Sequence, residues 1–77
     1  MNKLTLQKFN DGVYRVLKNQ SEHVGYLKHI DGMWKFKAIG YDEHGDAIPG
    51  GGPLTDRHNT TFVEPDEATV SARLAPA

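Results

Sequence analysis

The sequence contains no cysteine. That removes disulfides as a source of stability and thiolates as nucleophiles or metal ligands, and it fits a reducing compartment. Also missing is any apolar run approaching the ~20 residues that cross a bilayer. The opening residues Met1-Asn-Lys-Leu-Thr-Leu6 lack the long apolar stretch of a secretory leader. The expectation is a cytoplasmic protein without a membrane partner. No H-x-x-x-H-type or C-x-x-C pair occurs among the four histidines, so no metal is assigned. Neither phosphate-loop pattern occurs, G-x-x-x-x-G-K-[ST] or a G-x-G-x-x-G between strand and helix, and no cofactor is assigned. At 77 residues the chain is one domain, residues 1–77. Such a chain buries only about 60–65% of the surface its unfolded form exposes, so the core is thin.

What is present is an uneven charge distribution under a net charge of −1. Residues 1–41 carry seven basic and three acidic side chains, a balance of +4. Residues 42–77 carry two basic and seven acidic ones, a balance of −5. This split means either a basic binding surface or two halves that attract each other in the fold, and the second reading is the first expectation.

Residues 3–42 read as strands joined by tight turns. Asp11-Gly12 and Asp31-Gly32 are two-residue hairpin signals, because a type I′ turn needs positive φ at both central positions. A third polar turn is centred on Gln20-Ser21. The strands are then Lys3–Asn10, Val13–Lys18, His23–Ile30 and Met33–Tyr41, the last three rich in the β-branched and aromatic residues that suit pleated surfaces. These turns set a register with one apolar row, Phe9–Tyr14–Leu27–Phe36, and Val16, Trp34 and Ala38 on the same face. The opposite face carries the rows Leu6–Leu17–Val24–Ile39, Lys8–Arg15–Tyr26–Lys37 and Asn10–Val13–Lys28–Lys35. Thr60–Val63 reads as a short last strand. Glu64-Pro65-Asp66-Glu67 reads as a helix start, with the helix running from about Pro65 to Leu74 and Ala68, Val70, Ser71 and Leu74 inward; the alternative for residues 64–77 is a frayed tail. The fold class is mainly β with a small α+β character: an antiparallel four- to five-stranded meander with one short C-terminal helix. Strand count and turn spacing suggest an SH3-type half-barrel.

Four constellations bear on function. The first is the Gly/Pro-rich loop 48–59, with Gly50, Gly51 and Gly52 between two prolines. Successive glycine N–H groups form nests for anions, and Thr55, Arg57, His58 and Asn59 would add charge and hydrogen bonds; the plainer reading is a rigid bend. The second is catalysis by Asp56 and His58. Catalytic groups normally converge from separate segments, and no catalytic residue is assigned. The third is the basic face, where Lys8, Arg15, Lys28, Lys35 and Lys37 surround Tyr26. Cations around an aromatic track phosphates and stack a base, although a pI near 6.4 is low for a dedicated nucleic-acid binder, and a solvated lysine face is the plainer reading. The fourth is the row Leu6–Leu17–Val24–Ile39, an exposed apolar strip for a protein partner or a second copy of the chain. His23 and His29 share a face but stand about 20 Å apart along a strand, too far to hold one ion, and His29 opposite Trp34 reads as packing. On sequence alone, a non-catalytic protein-interaction module is the leading expectation. Anion or nucleic-acid binding through the basic face and the Gly50–Asn59 loop is the alternative.

Overall fold

The computed structural model describes residues 3–74. It is an antiparallel sheet, β1 (Leu4–Asn10), β2 (Val13–Lys18), β3 (Glu22–Ile30), β4 (Met33–Tyr41), β5 (Ala47–Pro49) and β6 (Thr61–Phe62), with a 3-10 turn at Thr55–Arg57 before β6 and an α-helix, α1 (Glu67–Leu74), after it. The first five strands are neighbours in chain order, and β6 also pairs with β4. The four long strands and the helix match the sequence expectation; β5 emerges from the Gly/Pro-rich segment. The helix begins at Glu67 rather than Pro65, because the Asp66 carboxylate caps it. That carboxylate accepts hydrogen bonds from Thr69 N–H at 3.0 Å and Thr69 Oγ1 at 2.6 Å.

The β3–β4 hairpin has the register the sequence implies. Asp31 and Gly32 both take positive φ, +52° and +81°, which is the type I′ requirement. Leu27 faces Phe36, Tyr26 faces Lys37 and Lys28 faces Lys35. On the other side of β3, Tyr14 faces Leu27 and Arg15 faces Tyr26.

The β1–β2 hairpin differs. Neither Asp11 nor Gly12 has positive φ. Instead Asn10 Oδ1 accepts the Gly12 N–H at 2.9 Å. A turn of that kind does not match the twist of the strands, and an extra residue on β1 absorbs the mismatch. Asn10 faces Val13 but Lys8 faces Tyr14, so Phe9 has no partner and is 67% exposed. Because side chains alternate with period two, this slip turns over the rest of β1. Leu6 now faces Val16 and packs against the core, and Leu4 is buried in it. Phe9 therefore leaves the apolar row, and Lys8 does not face Arg15.

A second irregularity corrects β3. The turn is centred on Asn19-Gln20, both with positive φ, not on Gln20-Ser21. Leu17 faces His23 while Val16 faces Gly25, which leaves Val24 as the extra residue. Val24 turns fully into the core. The expected strip Leu6–Leu17–Val24–Ile39 is thus not assembled: two of its members face the core. His23 and His29 also end on opposite faces, His23 against Tyr26 and His29 stacked on Trp34.

The core comprises Leu4, Val16, Val24, Leu27, Phe36, Ala38, Leu54, Phe62, Val70 and Leu74. Helix α1 contributes Val70 and Leu74, while Ala68, two positions away and so on the far side at 3.6 residues per turn, is exposed rather than inward. The helix also covers the edge of β1. Leu4 N–H donates to Ser71 Oγ at 3.2 Å and Leu6 N–H donates to Glu67 Oε2 at 2.9 Å. Arg73 reaches the last strand, donating to Thr61 O and lying over the Phe62 ring.

Candidate functional site

The outer edge of β4 decides where the Gly/Pro-rich loop sits. Phe36 N–H donates to Thr60 O, Asn59 N–H donates to Phe36 O and Gly50 N–H donates to Ala38 O, each at 2.8 Å. Ala38 N–H donates to His58 Nδ1 at 3.0 Å. Further along, Gly40 pairs with Ile48. The loop thus satisfies a strand edge that would otherwise be open. Gly52, at φ +88°, crosses directly over β4; a Cβ on Gly40 would lie 2.5 Å from Gly52 N. Glycine at both positions is what permits this approach.

These bonds redistribute the residues expected to form an anion nest. The Gly50 and Gly51 N–H groups are spent on Ala38 O and Ile48 O. Thr55 Oγ1 donates to Gly50 O at 2.6 Å. Arg57 lies on another side of the loop, beside Pro53, Leu54, Asp56 and Leu74. Asn59 Oδ1 accepts from Lys37 Nζ at 2.6 Å. His58 and Asp56 do not form a catalytic pair by any contact: His58 Nδ1 is occupied by the Ala38 N–H.

The outer face of the sheet holds Arg15, Tyr26, Lys28, Lys35 and Lys37, as the register requires. Lys8 is not among them. It faces Tyr14 on the inner side and pairs with Asp11 at 3.3 Å. The extra residue at Val24 adds a group that the sequence pattern hid. It brings the His23 ring to 4.6 Å from Tyr26, edge to face, and His23 Nδ1 lies 2.7 Å from Tyr41 Oη. Tyr26 is therefore one of three rings in a row rather than a lone aromatic. Burial lowers the His23 pKa below its ordinary 6.5; Arg15 adds to that shift and the Gly25 backbone opposes it. Lys28 Nζ sits 5.6 Å from the Tyr26 ring centre.

Side chains of the described acidic half make no ion pair with this face. Among the described residues, no carboxylate makes an ion pair with Arg15, Lys28, Lys35 or Lys37, and no ion pair joins residues 3–41 to residues 42–74. The expected attraction between the two halves is not realised in side-chain pairs. Lys28 and Lys35 remain directly opposite each other, an arrangement that destabilises a sheet when nothing intervenes.

The two candidate surfaces, separate in the sequence, meet in one place. A hollow of about 280 Å³ is lined by Tyr26, Lys28, Lys37, Ala38 and Ile39 of the sheet and by Pro49, Gly50 and His58 of the loop. No signal in the sequence joins His58 to Tyr26; both line the hollow because the loop folds back along β4. Comparison with protein-family models, with curated proteins and with solved structures finds no match. Among the described residues, no group of three or more His, Cys, Asp or Glu is placed to hold a metal ion, and no helix is long and apolar enough to cross a membrane.

Proposed function

We propose that this domain is a non-catalytic binding module whose outer sheet face takes an anionic strand, with single-stranded nucleic acid as the ligand that suits it best. The observation that carries this reading is that Lys28 and Lys37, which make no ion pair among the described residues, and Tyr26, the end of the aromatic row, meet the loop in one hollow. Unpaired cations supply sequence-independent attraction to phosphates, and exposed rings supply stacking platforms for bases. The face is longer than a single anion needs, since Arg15 and Lys35 extend the charge beyond the hollow on either side of Tyr26 and Lys37. A protein-contact reading has less support, because the apolar strip it called on is divided between the two faces.

The test is titration with a short single-stranded oligonucleotide, followed by NMR and fluorescence anisotropy. Amide shifts are expected at Arg15, Tyr26, Lys28 and Lys37. Affinity should fall steeply with salt, and Lys28→Ala or Lys37→Ala should each reduce the salt slope by about 1. Lys8→Ala serves as the control and leaves binding unchanged. A flat titration at low salt, or a loss on Lys8→Ala equal to that on Lys37→Ala, would overturn the proposal. A mass that rises with protein concentration alongside a flat titration would favour self-association instead.

A further inference from the structure

The hollow has a chemical bias that the charge of the face does not by itself explain. Of its lining residues Ala38 and Ile39 are buried, and Pro49 and Tyr26 add apolar and aromatic surface. At about 280 Å³ it is larger than the roughly 150 Å³ cavity that admits one six-membered aromatic ring. Its polar groups are mostly donors. Lys28 and Lys37 carry ammonium groups, which only donate. His58 Nδ1 accepts the Ala38 N–H, so the proton of the neutral ring sits on Nε2. The ring edge bearing Cε1 and Nε2 lies beside Gly50, where a Cβ would touch both atoms at 3.9 Å, and His58 is exposed. Two of the acceptors nearby already hold a donor: Gly50 O takes the Thr55 hydroxyl and Asn59 Oδ1 takes Lys37.

We infer that the hollow is the base-reading position of the nucleic-acid face, seating one unstacked base against Tyr26 with a carbonyl edge toward His58 Nε2. A lining of donors pairs with O4 of uracil or thymine or O6 of guanine, and leaves the amino group that cytosine or adenine carries at the same ring position without an acceptor. This rests on the proposed function and sharpens it, since attraction to phosphates and stacking on rings are indifferent to which base is present. An acidic peptide would satisfy the donors but leave the aromatic row without planar partners, so nucleic acid is the occupant the chemistry favours.

The experiment compares oligomers of roughly 10 nucleotides that differ only where the hollow reads them: deoxyuridine, deoxycytidine and an abasic phosphodiester, with polyglutamate as a further competitor. Oligo-deoxyuridine is expected to bind about tenfold more tightly than oligo-deoxycytidine, and the abasic strand weaker still. On the solvent-facing side of the sheet, Tyr26→Leu should remove most of the gain over the abasic strand while keeping the salt slope. The His58 Nε2 resonance should shift with deoxyuridine and not with deoxycytidine. Equal binding of all three strands overturns the base-reading position but leaves the basic face as a polyanion site. No binding of any strand at low salt overturns both. Polyglutamate binding as tightly as oligo-deoxyuridine overturns the choice of nucleic acid, and preference for deoxycytidine overturns the carbonyl assignment.

Discussion

The chain contains two Asp-Gly turns, and they behave differently. At Asp31-Gly32 both residues take the left-handed backbone, the turn twists with its strands, and β3 and β4 pair without interruption. At Asp11-Gly12 neither does, Asn10 bonds the turn from within, and β1 carries an extra residue at Phe9. The same dipeptide therefore marks the position of a turn in both places but fixes the register in only one. What selects between them is burial. The slip at Phe9 exchanges one aromatic side chain for two leucines on the core side, Leu4 and Leu6, and presents the Leu4 and Leu6 N–H groups to Ser71 and Glu67 of the helix. It also withdraws Lys8 from the outer face, which narrows the basic surface to β2, β3 and β4.

The sharpest way to break this comparison is to shorten the side chains whose faces are exchanged. Leu4→Ala should cost about 2–5 kcal/mol in chemical denaturation, as for a large core side chain. Phe9→Ala should change stability by no more than about 0.5 kcal/mol, as for an exposed position. The reverse order would restore the unslipped register, with Phe9 in the core. A smaller effect separates the turns themselves. Gly32→Ala forces a Cβ into the left-handed region and should cost about 1–2 kcal/mol. Gly12 has negative φ, and a Cβ there would meet nothing closer than 3.8 Å. Gly12→Ala is expected to be neutral or to stabilise by about 0.4–1 kcal/mol through the unfolded chain. Equal losses at both glycines would mean that Asp11-Gly12 forms a type I′ turn after all.

The strands were legible because turn residues and β-branched runs punctuate the chain at short intervals. The Leu27–Phe36 pairing was legible because the Asp31-Gly32 turn keeps one register, whereas Tyr14 faces Leu27 only because the extra residue at Val24 offsets the displaced turn before it. The bulges were not, since an unpaired Phe9 or Val24 looks like any apolar residue in an alternating pattern. What reveals them is tertiary: the helix that accepts Leu4 and Leu6, and the space that accepts Val24. The site was legible in pieces. Tyr26, Lys28 and Lys37 follow from the register, and Gly50 and His58 from an unusual loop. Their meeting depends on hydrogen bonds from Ala38 to His58 and from Gly50 to Ala38, contacts between chain positions that no local pattern links.

The smallest expected effect tests the bulge at Val24 through His23. If the bulge places the His23 ring between Tyr26 and Tyr41, as its contacts show, the folded protein resists protonating it. Its Nε2 is shielded from solvent and makes no hydrogen bond, and Arg15 on the neighbouring strand adds repulsion. With the folded pKa below the ordinary 6.5, the unfolded chain takes up the proton first as pH falls. The contribution of His23 is therefore complete above about pH 6.5 and is lost progressively as pH drops toward the lowered folded value. NMR titration of the four histidines should find the His23 ring titrating below 6.5, and Tyr41→Phe should change its titration because the hydroxyl at Nδ1 is gone. His23→Gln should flatten the fall in thermal stability between neutral and mildly acidic pH. If His23 titrates at its ordinary value and the substitution leaves that fall unchanged, the ring lies in solvent, Val24 is not the extra residue, and the aromatic row beside the basic face reduces to Tyr26.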